Sequence, residues 1–332
     1  MDIVTIFNKS SVPIAQLNVA VKRTWYTNRI SRASFVISKF DDNFSTTNLQ
    51  YSNFVLVQHD GELQDWVGVI VPPRSWKIGV TVRVESAEQV MSWRTTGDNE
   101  TLSGVPGLVF SNLLASANRN FATGITLGST SETGGNVEFI YNGAGIADAM
   151  NDLADDLGFE WWVANKEYNG GNLSLKAYFA SRRGTAFAQP LTEGMNIKEL
   201  QLVEEGEIYN RIIAYGMTDD WENPVKAIAE DDDSISAYGV HELTLNFPQT
   251  EDTATLEELA AAALTEYKQP RRKFSGVIVD TSYPEIGDDC KLIGDSVGFD
   301  GDTVFVDTTA RIESMSYDPT SGKLAVILKE VL

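Results

Sequence analysis

The feature that most constrains the fold is a helix pattern in the last third of the chain. Six apolar residues recur there at helical spacing and form one narrow stripe: Leu256, Leu259, Ala260, Ala263, Leu264 and Tyr267. Thr255 and Glu258 make a capping-box pattern, with Thr255 as the predicted N-cap. Pro270 cannot continue a helix. The sequence therefore predicts a helix over residues 255–268 that packs on a sheet and carries no functional residue.

The first part of the chain, residues 1–96, has the pattern of β-strands. Apolar and polar residues alternate in two runs, 17–21 and 80–84, and compact apolar runs lie between them. Many strands with few helices are typical of a closed or nearly closed barrel. We therefore expect a β-barrel domain here.

Two local signals subdivide this β pattern. Pro72-Pro73 is predicted to break the strand ladder, because proline donates no backbone hydrogen bond. Ser86 and Gln89 form a second capping-box pattern, which predicts a short helix that runs through Trp93.

Between residues 97 and 195 the pattern changes to that of a small α+β unit. Pro106 is predicted as the first residue of a helix, where its missing N–H costs nothing. The Ser/Thr/Gly-rich stretch 128–135 is predicted as a loop. Apolar periodicity predicts a second helix over 146–157, with Gly158 as its C-terminal stop.

A strand with tandem tryptophans follows this helix. Trp161 and Trp162 are adjacent, so strand alternation places one in the core and leaves at most one for a ligand such as a sugar. Asn169-Gly170-Gly171 predicts the hairpin to the next strand.

From residue 196 to residue 332 the pattern is β again, with the helix of residues 255–268 packed across it. The sequence thus predicts a mainly β fold with an α+β insertion. The expected domains are residues 1–96, 97–195 and 196–332, the outer two being β-barrels. A chain of this length exceeds what one hydrophobic core usually holds.

Composition narrows the function classes. The chain has 332 residues, with 47 Asp and Glu against 26 Lys and Arg, and its formal charge is −21. Such a surface repels phosphates, which argues against a general nucleic-acid binder. One cysteine, Cys290, excludes an internal disulfide and favours assembly in a reducing cytoplasm. We expect neither a membrane-spanning helix nor a secretion signal.

The sequence offers no convincing catalytic, cofactor or metal site. Adjacent acids such as Asp155-Asp156 point apart or into solvent, whereas a glycosidase needs two carboxylates across a cleft. The run Asp231–Asp233 lacks calcium-loop spacing and is interpreted as a solvated turn. His59 and His241 lie near no nucleophile elbow, and with one cysteine they make a zinc site improbable. We therefore predict a protein that is not an enzyme.

A set of short motifs in the second half resembles a known family. In order, they are Asn210-Arg211-Ile212-Ile213-Ala214-Tyr215-Gly216, Ser234-Ile235, Tyr238-Gly239, the helix ending in Tyr267 and Pro270, and Gly294-Asp295. Their order and spacing resemble the hub protein of bacteriophage tails. That family includes baseplate hubs, late-control proteins and the N-terminal part of tail-associated lysins. The resemblance is best from residue 143 onward.

The resemblance implies a structural virion protein at the tail tip of a long-tailed phage. It implies two tail-tube-like β domains per chain and a trimeric ring with pseudo-sixfold symmetry. The implied partners are the distal tail or tube protein, the tape-measure protein, and tip or fibre proteins. The implied roles are host attachment and genome delivery, without a cofactor, after assembly in the host cytoplasm.

Other readings stay open at this point. The rival class is a secreted β-rich carbohydrate-binding protein or glycan hydrolase, which would be monomeric. A third option is a tail-fibre or peptidase adaptor, which differs mainly in the neighbour that it binds. Within the hub reading, the acidic surplus either lines a channel for DNA or is spread over the surface for solubility. A conducting wall should be depleted of Lys and Arg, because each contact to a phosphate holds the duplex.

Overall fold

The computed structural model describes most of the chain. The described residues are 2–27, 29–59, 63–76, 79–131, 135–165, 168, 170–205, 208–217, 225–247, 250, 252–279, 283–297 and 303–331. Within these ranges there are twenty-one strands and five helices. The predicted turn residue Asn169 lies outside the described residues.

The first β region contains seven strands and leads into one short helix. These elements are β1 Asp2–Phe7, β2 Pro13–Val19, β3 Val21–Tyr26, β4 Arg32–Ser38, β5 Phe54–His59, β6 Trp66–Trp76, β7 Gly79–Ser86 and α1 Gln89–Ser92. The middle unit follows, with β8 Glu100–Gly104, α2 Pro106–Asn118, β9 Ile125–Thr130, β10 Val137–Tyr141, α3 Ile146–Leu157, β11 Glu160–Asn165 and β12 Leu175–Ala180.

The rest of the chain divides between a second β region and a small sheet unit inserted in it. The second β region contains β13 Leu191–Thr192, β14 Ile197–Glu205, β18 Arg271–Ile278, β19 Asp289–Val297, β20 Thr303–Asp318 and β21 Lys323–Glu330. The small sheet unit contains β15 Arg211–Tyr215, β16 Lys226–Glu230, α4 Asp232–Tyr238, β17 Glu242–Asn246 and α5 Thr253–Tyr267.

The two β regions share one thirteen-stranded sheet. Its order is β13-β19-β14-β18-β21-β20-β3-β4-β7-β6-β5-β1-β2. Strand β20 makes the connection because it is long enough to pair with β19 at its start and with β21 and β3 near its end. The mainly β class with an α+β part is confirmed. In the second β region β19 pairs with both β14 and β20, so the strands β19, β14, β18, β21 and β20 pair in a cycle. Among the described strands of the first β region, no pairing joins β2 back to β3. The division into three domains stays a prediction.

The shared sheet surrounds a large apolar core. Alternate residues of β3, β4 and β7 point into it, as do alternate residues of β20 and β21. Val82, Phe35, Met315 and Val326 are all buried there. The periodicity of two along these strands is therefore the signal that places them on the core.

Two sequence predictions for the first β region need adjustment. The ladder between β6 and β7 is interrupted between Val71 and Ser75, as expected at Pro72-Pro73, but β6 itself continues through the prolines. The capping box at Ser86 is wrong. Helix α1 has no side-chain cap, and the Ser86 hydroxyl accepts a hydrogen bond from the Ser31 N–H at 2.9 Å. A long-range partner thus outcompetes the local one.

The middle unit packs α2, α3 and two small sheets around a second apolar core, to which the first β region contributes Phe7, Phe54 and Val69. The predicted helix start at Pro106 and stop at Gly158 are confirmed, with Gly158 in the left-handed region at φ 64°. The predicted loop over 128–135 is wrong in its first part, because β9 extends to Thr130. Small polar residues do not indicate a strand in the sequence. The strand forms here because β9 pairs in parallel with β12, which supplies its backbone hydrogen bonds.

Helix α5 packs on the three-stranded sheet β16-β15-β17, and not on the main sheet. Leu256 and Ala260 are fully buried against Ile212 and Ala214. The remaining stripe residues are half-buried: Leu259, Ala263, Leu264 and Tyr267. The predicted stripe is confirmed, and its partner sheet is a separate one with a small core.

The caps in this unit differ from the predicted ones. The N-cap of α5 is Asp252, whose carboxylate accepts hydrogen bonds from the N–H and the hydroxyl of Thr255, both at 2.8 Å. Thr255 is therefore inside the first turn, and the predicted cap is wrong by three residues. The predicted solvated turn at Asp231 is also wrong, because Asp231 caps α4 by accepting from the Ser234 N–H at 2.9 Å. A carboxylate is a strong acceptor for the free N–H groups of a helix start.

Candidate interaction site where three regions meet

The middle unit is joined to the second β region by a polar network. One carboxylate oxygen of Glu160, the first residue of β11, accepts from the Arg183 N–H at 2.8 Å and from the Arg311 guanidinium at 2.7 Å. Arg311 also donates to the carbonyl of Arg183 at 3.0 Å and to that of Gly287 at 3.2 Å. Strand β20 thus holds both the middle unit and the segment that leaves it.

Two glycines bring this exit segment against a neighbouring loop. Gly184 and Gly287 have φ values of 86° and 89°. A Cβ on Gly184 would lie 2.3 Å from the carbonyl group of Gly287, closer than any side chain tolerates. Beside them, the Asp288 carboxylate accepts from the Thr185 N–H at 2.7 Å. The close approach of two backbones at this point therefore requires glycine.

A cavity of about 820 Å³ opens beside these glycines, where all three regions meet. The first β region contributes aromatic and polar residues, among them Trp25, Gln64, Asp65 and Trp66. The middle unit contributes Trp162 and Asn165, and the segment from Glu88 contributes a carboxylate. The remaining wall comes from the exit segment and the loop before β19, and it includes Arg182, Arg183, Tyr283, Glu285 and Asp288. The volume lies in the range of ligand pockets.

The tandem tryptophans divide as the sequence predicts. Trp161 is buried in the middle core, and its indole N–H donates to the Asn151 side chain at 2.8 Å. Trp162 lines the cavity, but its ring stacks on Tyr178 at 5.4 Å, and the Arg183 guanidinium lies 5.5 Å from its centroid. Trp162 therefore already contacts two neighbouring side chains within the protein.

Charge in the cavity is mixed, with an excess of carboxylates. Burial lowers the pKa of Arg183, and the carboxylates of Glu88, Glu285 and Glu160 oppose that shift. Arg182 forms an ion pair with Asp289. Both guanidinium groups are therefore already engaged by the protein.

Several buried polar atoms on cavity-lining residues have no hydrogen-bond partner. They are the indole N–H of Trp25, one carboxylate oxygen of Glu88, and both the oxygen and the nitrogen of the Asn165 amide. The other oxygen of Glu88 accepts from the Val163 N–H at 2.8 Å. Buried polar groups are nearly always bonded, so this group of atoms is unusual.

A second polar cluster, close to the cavity, joins the two β regions directly. We call Asp2, Arg23, His59 and Tyr317 the buried joint. One carboxylate oxygen of Asp2 lies 2.8 Å from both the Arg23 guanidinium and His59 Nδ1. The ring of Tyr317, on β20, lies 4.9 Å from that guanidinium. Arg23 is 1% exposed, and its Nε and Nη2 atoms have no partner.

The charges of the buried joint shift each other. Burial alone would raise the pKa of Asp2, but the hydrogen bond from His59 and the charge of Arg23 outweigh it and hold that pKa below its usual value. Burial lowers the pKa of Arg23, and the Asp2 carboxylate opposes that shift. Both groups are therefore charged at neutral pH, as a mutually dependent pair.

The other chemical candidates of the sequence are not brought together. His59 belongs to the buried joint, and His241 contacts the carbonyl of Tyr238 at 3.1 Å. In the described part of the chain, no group of three His, Cys, Asp or Glu side chains has a metal-binding arrangement. Within the same residues, no helix has the length and apolarity needed to span a bilayer. Sequence reasoning missed both Asn165 and the buried joint, because neither carries a motif.

Comparisons with solved structures identify the fold. A prophage tail protein, gp18 of Listeria monocytogenes EGD-e, matches with a TM-score of 0.64 at 12% identity, over 99% of this chain and 94% of that one. The tail protein of Neisseria meningitidis MC58 matches with a TM-score of 0.66 at 10% identity, over 99% and 96%. The 43 kDa tail protein of prophage MuSo2 from Shewanella oneidensis matches with a TM-score of 0.62 at 12% identity, over 99% and 98%.

Sequence comparison does not add to this result. No protein-family model matches the chain, and no curated protein matches it. The structural matches cover nearly the whole chain at low identity, so what they share is the fold. The chain has the fold of phage tail proteins, and the resemblance to tail hubs that the sequence motifs indicate is confirmed at that level.

Proposed function

We propose that this chain is a structural hub protein of a long-tailed phage, which forms a trimeric ring between the tail tube and the tail tip. The observation that carries the proposal is the pairing of β3 with β20, which places both β regions side by side in one sheet. Three such chains present six β regions, the number needed to continue a sixfold tube. The similarity in fold to prophage tail proteins supports the same role.

The ends of the shared sheet suit assembly with further copies. Its end strands in the described part are β13 and β2, and unpaired strand edges template pairing with other chains. A head-to-tail contact between two different edges closes into a ring when the rotation allows it. Assembly partners on this proposal are the tube or distal tail protein, the tape-measure protein, and tip or fibre proteins of the virion.

Light scattering tests the trimer. The purified protein at micromolar concentration should have a mass near three times 36.5 kDa. The same measurement is repeated with the tail-tube protein, because ring closure can require that neighbour. A mass of one chain under both conditions would contradict the proposal.

The alternative is a carbohydrate-binding protein, which needs an aromatic ring with a free face for a sugar. Trp162, the residue that the sequence offers for this role, already stacks on Tyr178 and lies near the Arg183 guanidinium. Turnover or binding of bacterial cell-wall glycan by the monomer would favour that class over the hub.

Genome passage through the ring is part of the proposal, and the sign of the channel wall is its sharpest test. The face of β3, β4 and β7 that points away from the core carries exposed Lys22, Arg32 and Arg83, with Glu85 half-buried. An acidic channel therefore requires a wall other than this face. In an electron-microscopy structure of the ring, acidic wall residues should outnumber basic ones by more than the 47 to 26 of the whole chain.

A further inference from the structure

Strand β17 forms one edge of the three-stranded sheet in the small sheet unit. In the order β16-β15-β17 it pairs with β15 alone. At the start of this parallel ladder, the Arg211 N–H donates to the His241 carbonyl at 3.1 Å. At its end, the Phe247 N–H donates to the Tyr215 carbonyl at 2.7 Å. The odd-numbered residues of β17 therefore bond to β15, because alternate residues of a strand direct their backbone groups to the same side.

The even-numbered residues of β17 direct their N–H and C=O groups away from β15. We call the six backbone groups of Glu242, Thr244 and Asn246 the free edge. No strand in the described part of the chain pairs with it, and all three side chains are exposed. Natural edge strands are commonly protected by lysine, proline or a bulge, because an unpaired edge pairs with other chains. Strand β17 contains neither residue type, and its register with β15 is unbroken.

The apolar core of the small sheet unit is incompletely covered beside the free edge. Helix α5 lies over β15 and β16, and Leu256 and Ala260 are fully buried there. On the same face of the sheet, Leu243 and Leu245 of β17 pack against this core but stay half-buried. Val240, which precedes the strand, is 60% exposed. A further strand at the free edge would cover the two leucines with its own apolar side chains, since residues of adjacent strands on one face lie side by side.

The opposite face of the sheet specifies a positive charge next to Glu242. A row of side chains across the three strands runs there from Glu230 through Arg211 to Glu242. Both carboxylates form ion pairs with the one guanidinium group. The Glu242 side chain is still 48% exposed. A basic residue on an added strand would continue this alternation of charge, whereas an acidic residue would face a carboxylate directly.

We propose that the free edge of β17 binds an extended segment of a partner protein, which adds a fourth strand to the small sheet. The segment alternates apolar residues, which cover Leu243 and Leu245, with polar residues, one of them a Lys or Arg beside Glu242. Backbone hydrogen bonds provide affinity, and the alternation of side chains provides specificity. The site lies within one chain, so its test is independent of the trimeric ring.

Hydrogen exchange with a defined peptide pair tests the site. The probe is the blocked peptide acetyl-Thr-Val-Thr-Val-Arg-amide, which places its arginine beside Glu242 when it pairs antiparallel with residues 242–246. The control peptide is N-methylated at both threonines and at the arginine, whose N–H groups face β17 in that register. It keeps the side chains and the charge of the probe, and loses only the backbone donors.

Mass spectrometry of the fragment that contains residues 240–247 measures the exchange. In the free protein, the three N–H groups of the free edge should exchange fast. Millimolar probe should slow them in a saturable manner, and the N-methylated peptide should not. Equal effects of the two peptides, or no protection by the probe, would overturn the proposal. Slow exchange in the free protein that depends on protein concentration would also overturn it, because a second copy would then occupy the edge.

Proline variants locate the binding on one side of the sheet. Thr244→Pro removes the central N–H of the free edge and spares the ladder to β15, as proline does at edge strands. It should weaken the probe at least about tenfold. The matched control is Ile228→Pro on β16, where the N–H points away from β15 at the opposite edge, and it should bind as wild type does. Equal binding by Thr244→Pro and wild type would refute the site. Circular dichroism checks folding, and the N-methylated peptide decides the matter if Thr244→Pro does not fold.

A second matched pair tests the predicted charge. Glu242→Gln and Glu230→Gln remove the same charge from opposite sides of Arg211. Glu242→Gln should weaken the probe about threefold, as expected for an exposed ion pair, and Glu230→Gln should leave it unchanged. Equal weakening by both variants would mean that the acidic chain attracts the peptide without a specific contact, and would contradict the role of Glu242.

Discussion

Helix α5 and the buried joint stabilise two neighbouring parts of this protein in opposite ways. Helix α5 contributes an apolar stripe, dominated by Leu256 and Ala260, to a small core made by nearby segments. The buried joint places the charged pair Asp2 and Arg23 where strands from both β regions meet. The packing of α5 depends on a local pattern that is visible in the sequence. The buried joint depends on partners that lie far apart in the chain.

The difference teaches how each element would fail. Shortening an apolar side chain in α5 leaves a cavity, and the surrounding core relaxes in part. Removing one member of a buried charged pair leaves the other charge without compensation. A polar joint is therefore more easily broken by one substitution than its modest net contribution to stability suggests.

The largest effect is expected from Asp2→Ala. It leaves the Arg23 guanidinium buried and unpaired, and should reduce the free energy of unfolding by about 3–5 kcal/mol. Urea denaturation measures the loss. The double variant Asp2→Ala/Arg23→Met should regain much of it, because no buried charge remains. A single variant as stable as wild type would show that Arg23 finds water or another partner.

A somewhat smaller effect is expected from Leu256→Ala in α5. Leu256 is fully buried, so the substitution should cost about 2–5 kcal/mol in denaturation of the small sheet unit. Leu259→Ala is the matched control, and it should cost clearly less because Leu259 is only half-buried. If Leu256→Ala and Leu259→Ala reduced the free energy of unfolding equally, the difference in burial between these two residues would be contradicted.

The corrected cap of α5 gives a third test. Asp252→Ala removes the acceptor for the Thr255 N–H and should cost about 1 kcal/mol. Thr255→Ala removes only a hydroxyl that donates to the same carboxylate, and should cost less. If Thr255→Ala were the more damaging change, the capping box predicted from the sequence would be the better description.

The smallest effect is a change in how melting temperature depends on pH, which should differ between variants of the buried joint and variants of α5. The folded-state pKa of Asp2 lies below its unfolded value of about 4, so its ionisation stabilises the protein above that pH. This stability is lost as pH falls through the folded-state pKa. Melting temperature should therefore fall more steeply on acidification in wild type than in Asp2→Ala/Arg23→Met. The melting temperature of Leu256→Ala should fall with pH as steeply as that of wild type. The same pH dependence in wild type, Leu256→Ala and the double variant would contradict a contribution of the buried joint to the pH dependence of stability.

The helices show which features of the fold can be predicted from local sequence. Pro106, Gly158 and the stripe of α5 were all placed correctly, because helix periodicity and helix ends depend on residues within a few positions of each other. The misplaced caps at Thr255 and Ser86 have a common cause. Each motif had a competitor, Asp252 nearby in one case and Ser31 across the sheet in the other, and the motif alone does not reveal which interaction wins.

Most of the candidate site could not be predicted from the sequence. Trp162 was singled out by its tandem with Trp161, but its contacts with Tyr178 and Arg183 are visible only in the tertiary structure. Asn165 carries no motif at all. An unpaired amide becomes visible only once every nearby donor and acceptor has been placed.

By itself, the sequence determined the mainly β class, the α+β middle part, the packing face of α5 and the resemblance to phage tail hubs. These follow from periodicities of two and 3.6 residues and from motif order, which are properties of short segments. Only the tertiary structure decided that one sheet joins both β regions, and that Asp2, Arg23 and Tyr317 meet in its interior. The physical reason is distance along the chain. β3 and β20 pair across almost the entire sequence, and no local energy term distinguishes that pairing from its alternatives until both strands are in place.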